Sequence, residues 1–344
     1  SEYGTNGGQT LPSGFKRNQL GNDGIKWETT TQTNIGLDYS FFRNSLYGTF
    51  DWYFKKTKDI LVEMAGIAAM GEGSTQWINA GEMENKGFEF NIGYRKTTKW
   101  GLRYDVNANI GTYRNKITKL PATVAAKGTF GGNGVKSVIG HAMGSQVGYV
   151  ADGIFKSQEE IDNHATQEGA ALGRIRWKDL NNDGKITEAD QQWIYDPTPD
   201  FTYGFNIYLE YKNFDFTAFF QGVQGVDIIS DLKKETDIWA GLNIGYLNKG
   251  RRLLDAWSPT NPGSNIPAVT LSDNNNEKRV SSYWVENGSY LKLRTIQLGY
   301  NVPKSFAQKL AMERLRFYLS AQNVFTIKSS SFTGVDPENP NYGY

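Results

Sequence analysis

Pro199 to Gly222 reads PDFTYGFNIYLEYKNFDFTAFFQG. Apolar and aromatic residues occupy every second position: Phe201, Tyr203, Phe205, Ile207, Leu209 and Tyr211. After Lys212 and Asn213 the pattern resumes at Phe214, Phe216, Ala218 and Phe220. A period of two belongs to a strand with two unlike faces, and two such runs across a two-residue connection read as an antiparallel hairpin. The pattern recurs on both sides of this hairpin, at 34–41, 46–55, 88–95 and 102–111 before it and at 296–302 and 315–325 after it. In 46–55, Leu46, Gly48, Phe50, Trp52 and Phe54 oppose Tyr47, Thr49, Asp51, Tyr53 and Lys55. In 88–95, Phe88, Phe90, Ile92 and Tyr94 oppose Glu89, Asn91, Gly93 and Arg95. The chain is all-β.

Strand length and connection length choose among all-β architectures. Sandwich strands typically run about 5–6 residues, whereas a tilted strand that crosses a bilayer needs about 9–11. The segments here are of the second kind, and their apolar faces end in Tyr, Trp and Phe, as interfacial girdles do. Arg43–Asn44, Thr97–Trp100, Lys212–Asn213 and Pro303–Met312 are short links, while 57–84, 118–200, 226–287 and 327 onward are long. Short turns at one end and long loops at the other is the outer-membrane barrel rule, with the short turns periplasmic and the long loops outside. We therefore expect a transmembrane antiparallel β-barrel whose apolar face meets outer-membrane lipid. Asp38, Asp51, Glu89, Arg95, Arg103 and Asp105 are expected on its water-lined inner wall.

Composition narrows the function. The 344 residues carry 37 Lys+Arg against 36 Asp+Glu, a net charge of +1, which argues against nucleic-acid binding through bulk electrostatics. There is no Cys, and His occurs only at 141 and 164, so disulfide frameworks, thiolate sites and His-based catalytic or zinc constellations drop out. No apolar run reaches the roughly 20 residues of a membrane-spanning helix. No carboxylate pair stands out as an acid and a base, and no enzyme is expected. Gly128 to Gly134 (GTFGGNG) lacks the strand before and helix after that a nucleotide loop requires, and Asn287-Gly288-Ser289 reads as a turn at a strand entry. Ser1 to Gly24 has no apolar signal segment, and Thr333 to Tyr344 has no closing strand, so the expectation is a part of a larger protein.

The sharpest local motif is DLNNDGKITEAD, Asp179 to Asp190. Oxygen ligands fall at positions 1, 3 and 5 (Asp179, Asn181, Asp183), with Gly184 at position 6 and the Lys185 carbonyl following. Asp190 stands at position 12, where a calcium loop usually has Glu. This spacing predicts a structural Ca²⁺ held by Asp179, Asn181, Asp183, Lys185 and Asp190; the alternative is a metal-free Asn/Asp/Gly turn. Trp77, Tyr149, Trp177, Trp193, Trp239, Tyr246 and Trp257 fall in the long connections, where they either stack on sugar rings or pack the loops together.

Several stretches resemble one family, the SusC/RagA-like TonB-dependent transporters of the Bacteroidetes outer membrane. KWETTTQTNIGLDYSFF (Lys26 to Phe42) and LYGTFDWYFKKTKDIL (Leu46 to Leu61) resemble consecutive family strands, and ENKGFEFNIGY (Glu84 to Tyr94) resembles its recurring Asn-Lys-Gly-x-Glu opening. IRWKDLNNDGKITEADQQWI (Ile175 to Ile194), followed by Pro199 to Gly222, is the most specific stretch. WVENGSYLKLRTIQLGYNVP (Trp284 to Pro303) and LRFYLSAQNVFTI (Leu315 to Ile327) match penultimate strands. The resemblance covers nearly the whole chain. It implies that residues 1–344 are the C-terminal portion of the barrel, about eight strands of 22, without signal peptide, plug or last strand. It also places 118–200 as a long extracellular loop carrying the calcium-like turn 179–190. The function implied is TonB-dependent import of a glycan or oligopeptide, with a SusD-like surface lipoprotein as partner and TonB–ExbB–ExbD acting through the N-terminal part. A soluble all-β carbohydrate-binding or adhesin domain is the alternative. Burial of Phe50, Trp52, Phe88, Phe90, Phe205 and Ile207 under protein would favour it. A glycoside hydrolase is a weaker third class, because the chain lacks βα alternation.

Overall fold

The computed structural model describes residues 19–64, 75–133, 135–237, 250–270 and 273–339. Eight long strands follow one another in a single antiparallel sheet: β1 (Thr29–Phe41), β2 (Leu46–Met64), β3 (Thr75–Thr97), β4 (Leu102–Lys119), β5 (Phe201–Tyr211), β6 (Phe214–Gln224), β7 (Tyr290–Asn301) and β8 (Arg316–Lys328). Each pairs with its neighbours in sequence, and Gln19–Leu20 adds a short parallel pairing with Thr75–Gln76. Such nearest-neighbour order is an up-and-down meander, the topology from which closed barrels are made. Among the described residues the sheet is open, with β1 and β8 as its edges.

Register fixes the faces, because residues paired across strands point to the same side. Leu37, Phe50, Phe90, Ile110, Tyr203, Gly222, Leu291 and Ile327 form one continuous row. The row one step away runs Gly36, Asp51, Glu89, Gly111 and Thr202. The alternation seen in the sequence is thus one apolar and one polar sheet face. The apolar face stays uncovered: Phe50 and Trp52 are each 38% exposed and Phe88 and Phe205 each 37%. No described segment lies over these side chains, which counts against the soluble alternative.

The structure corrects one expectation. Residues 57–84 are not a loop for most of their length. β2 runs 19 residues and β3 runs 23, and they stay paired from Leu46↔Tyr94 up to Met64↔Gln76. A β-bulge hid this: the register shifts between Thr57 and Ile60, with Asp59 at φ 58°, and a bulge moves later residues to the other face. β4 likewise continues to Lys119, past the end of the segment 102–111.

Much of the buried apolar packing lies above the sheet rather than in it. Val62, Ile117, Leu120, Val124, Ala125 and Val138 form one cluster where the tops of β2 and β4 meet the following chain. Ile154, Ile175, Trp177 and Trp257 form a second, between the two longest connections. The segment between β4 and β5 has its own structure. Gln146–Tyr149 pairs with Gln191–Tyr195, and Ala151–Ile154 pairs with Ile175–Trp177. A short helix, Gln158–Asp162, starts where the Ser157 hydroxyl accepts from the Glu160 N–H.

Candidate functional site

The polar sheet face is the candidate site, and it is a hydrogen-bonded wall. Near the short turns, the Tyr47 hydroxyl donates to Asp105 Oδ1 at 2.7 Å, and the Arg95 guanidinium lies 4.7 Å over the Tyr47 ring. Arg103 pairs with Glu210 at 3.5 Å, and the Tyr208 hydroxyl donates to the same carboxylate at 3.0 Å. Arg316 grips Asp215 with both Nε (3.1 Å) and Nη2 (2.5 Å). Midway up, Asn91 and Asn107 exchange amide hydrogen bonds at 3.1 and 2.9 Å, and Asn115 donates to Asn85 at 2.8 Å. Charges of both signs and amides alternate along this wall. Such a surface is suited to contact with water. Asp38, Asp51, Glu89, Arg95, Arg103 and Asp105 all stand on this face, as the sequence indicated.

Sequence reasoning missed the cationic cluster higher on the same wall. Lys292, only 3% exposed, donates to Asp336 (2.8 Å) and to Glu338 (2.6 Å), and the Tyr290 hydroxyl donates to Glu338 at 2.7 Å. Arg294 also pairs with Glu338 and donates to Gln221 and Asn323 at 3.0 and 3.2 Å. The stretch after β8, which looked like bare loop, is therefore clasped to the inner wall. The signal was present: Lys292 interrupts an apolar run at an inward position, and Asp336 and Glu338 are the carboxylates that follow.

The five expected Ca²⁺ ligands share one turn. Asp179 accepts from the N–H groups of Asn182 (2.7 Å) and Gly184 (2.9 Å). Asn181 Oδ1 accepts from the Asp183 N–H at 3.0 Å, its amide donates to Asp183 at 2.9 Å, and Asp183 accepts from the Lys185 N–H at 2.9 Å. Asp190 is fully buried and accepts from the N–H groups of Leu180 (2.9 Å) and Thr187 (2.7 Å). Burial works against its charge, yet the N–H groups of Thr187, Leu180 and Asn181 outweigh burial and hold the Asp190 carboxyl below its ordinary value. Among the described residues, no three His, Cys, Asp or Glu side chains are grouped to hold a metal ion. What the structure displays is a turn stapled by its own carboxylates.

The long-connection aromatics divide. Trp177 and Trp257 are buried in the loop cluster, and Trp193 stacks on His141 with ring centroids 3.7 Å apart. Arg279 lies over Tyr149 at 4.6 Å and over Trp177 at 5.4 Å. These rings hold the loops together rather than present open faces. Trp77 lies in β3, at 37% exposure; Trp239 and Tyr246, and Gly134 of the glycine loop, fall outside the described residues.

The family described as "TonB dependent receptor-like, beta-barrel" matches residues 2–324. The chain belongs to it. Curated relatives agree: TonB-dependent receptor P3 of Formosa agariphila is 36% identical over 98% of this chain, and TonB-dependent receptor SusC of Bacteroides thetaiotaomicron is 27% identical over 92%. The chain spans about a third of the length of these relatives, 33% of the first and 30% of the second. Among solved structures, the RagAB peptide transporter superposes with a TM-score of 0.74 at 25% identity, over 98% of this chain and 35% of that one. The protein is thus a SusC/RagA-type TonB-dependent receptor of the outer membrane, and its exposed apolar face is the face in lipid.

Proposed function

We propose that this stretch is the C-terminal part of the barrel of an active importer. The whole protein would carry a glycan or an oligopeptide across the outer membrane in a TonB-dependent manner. The carrying observation is the polar wall, continuous from Asp38 on β1 to Arg316 on β8, opposite a lipid-facing apolar surface. By its name, the RagAB peptide transporter supports the peptide class, and the glycan class rests on the family resemblance alone. In this reading the short turns lie in the periplasm, 118–200 lies outside the cell, and a SusD-like lipoprotein seats on that layer. TonB–ExbB–ExbD acts through parts of the protein beyond these residues. Uptake of fluorescently labelled oligosaccharides and oligopeptides tests it: entry of one class should be lost when either the receptor or TonB is deleted. Protease added to intact cells should cut within 118–200, and cleavage confined to spheroplasts would reverse the orientation.

The Ca²⁺ site is a separate proposal, resting on the sequence spacing and the shared turn of Asp179, Asn181, Asp183, Lys185 and Asp190. Outside a cell, an affinity on the order of 10⁻⁴ M would keep it filled. Calorimetric titration of the receptor with Ca²⁺ decides it. Saturable heat that vanishes in Asp179→Ala/Asp183→Ala supports a site, and a flat titration overturns it.

A further inference from the structure

The outward face of β2, β3 and β4 changes chemistry above its aromatic band. Trp52 and Phe88 pair across β2 and β3. The next outward row is Phe54, Lys86 and Arg114, and the one above is Lys56, Glu84 and Lys116. Lys58 stands opposite Thr29, and Lys119 opposite Glu82. Three acidic groups of this zone are already engaged: Glu82 and Glu84 lie 3.5 and 3.4 Å from Lys56, Glu82 lies 3.7 Å from Lys119, and Asp200 lies 3.0 Å from Arg114, which leaves Glu28 and Asp59 beside Lys58. Lys58, Lys86 and Lys116 are exposed and make no ion pair among the described residues. Six cations (Lys56, Lys58, Lys86, Arg114, Lys116, Lys119) thus face five carboxylates, and the surplus lies toward Lys86 and Lys116, away from Glu28 and Asp59.

Its height is set by β3. Outward residues run Lys96, Tyr94, Ile92, Phe90, Phe88, Lys86, so lysines bracket an uninterrupted apolar stretch. Ten residues at about 3.3 Å each, tilted about 45°, span roughly 23 Å, close to the apolar band of an outer-membrane barrel. Lys86 thus lies at the lipid–water boundary on the long-loop side, with Lys116 one outward row and Lys58 two outward rows above it. With strands about 4.8 Å apart and outward rows about 6.6 Å apart, the Lys116 and Lys58 backbones stand about 8 and about 14 Å from that of Lys86, and their long stems let each ammonium reach toward the boundary. A surface continuous with the lipid face meets head groups at this level, and unpaired ammoniums there call for anionic oxygens.

We infer that Lys58, Lys86 and Lys116 form a head-group site for the phosphates of a glycolipid of the outer leaflet, which would brace the extended β2–β3–β4 tops against the membrane. The inference rests on the proposed orientation, long loops outside. The test uses the full-length receptor, a Lys58→Gln/Lys86→Gln/Lys116→Gln variant and the matching Arg variant. Each is reconstituted in phosphatidylcholine vesicles alone or with lipid A, dephosphorylated lipid A or phosphatidylglycerol, and separately given inorganic phosphate. Lipid A should raise the unfolding midpoint of the wild type and the Arg variant and remain bound in native mass spectrometry. The Gln variant should lose apparent affinity on the order of a hundredfold, given about one kcal/mol per surface cation. Equal retention by the Gln variant, or equal stabilisation by dephosphorylated lipid A, overturns the site. An equal effect of phosphatidylglycerol overturns the glycolipid assignment, and an effect of inorganic phosphate alone overturns a lipid ligand. A Glu159→Cys receptor treated on intact cells with an impermeant maleimide separates the two readings: no labelling overturns the orientation, whereas labelling together with indifference of the wild type to lipid overturns only the head-group site.

Discussion

Gly222 on β6 faces the ring of Tyr203 on β5, and a Cβ placed there would stand 2.2 Å from the ring Cζ. Gly87, inside the Asn-Lys-Gly-x-Glu stretch, meets Tyr53 on the inner face in the same way, with the Tyr53 hydroxyl 2.7 Å from such a Cβ. In each case a tyrosine lies over the bare backbone of the next strand, which fills the gap and fixes the register. Gly222→Ala should then cost about 1–3 kcal/mol through overpacking. Unfolding of the full-length receptor from vesicles by denaturant should show the penalty largely relieved in a Tyr203→Ala background. Asp190 offers a second check at this scale. Asp190→Ala leaves the Leu180 and Thr187 N–H groups without their acceptor, which should cost about 1–3 kcal/mol locally. Hydrogen exchange at those two amides reads it directly. Because the folded carboxyl titrates below its ordinary value, its contribution is complete above that value, near 3.9, and disappears as pH falls through the lower folded value. Protection of these amides should therefore be flat from neutral pH down to the carboxylate range and collapse only below it.

At the level of elements, alternation was legible wherever a strand had lipid on one side and water on the other, since that contrast leaves no other arrangement for Phe205 and Asn206. The two adjacent residues give a matched test. Phe205→Arg puts a charge against hydrocarbon near the middle of β5 and should cost roughly 2–4 kcal/mol, whereas Asn206→Arg faces the wet wall and should be close to neutral. Refolding titrations into vesicles compare them, and equal penalties would contradict the face assignment. The strand extensions were not legible for two reasons. Above the hydrocarbon both faces meet water, head groups or loop, all of which accept polar side chains, so 57–64 and 112–119 need no strict alternation. Bulges also shift the phase, at Asp59 on β2 and at Asn323 (φ 49°) on β8. The clasp of Lys292 and Arg294 on Asp336 and Glu338 escaped for another reason. Ion pairs between residues 44 and 46 positions apart leave no periodic trace. The Asp179–Asp190 turn was legible as a turn because its Asn, Asp and Gly residues act locally; whether the carboxylates take a cation is set by how they converge, which spacing does not encode.

The whole molecule inverts the usual plan of a globular domain. Its polar residues gather on one sheet face, its apolar residues on the other, and its buried apolar clusters sit in the loop layer around Val62, Val138 and Trp177. No described helix is long and apolar enough to cross a membrane, and the strands do the crossing. Such a sheet is stable only where every backbone group has a partner, because hydrocarbon supplies none, and each unsatisfied N–H or C=O there costs several kcal/mol. Among the described residues, β1 and β8, 13 residues each, leave one edge apiece unpaired. Their outward residues, Ile35, Leu37, Phe317 and Leu319, are 61, 61, 62 and 78% exposed, so both edges are also apolar and adhesive. Produced alone in vesicles, residues 1–344 should fail to form a sealed barrel. They should show no heat-dependent shift in gel mobility and no defined conductance in planar bilayers, and should aggregate through β1 and β8 instead. The full-length receptor under the same conditions should show the mobility shift. A discrete, heat-sensitive conducting species from residues 1–344 would mean that the two edges find each other, either within one chain or between copies. It would replace the picture of a barrel completed by the rest of the receptor.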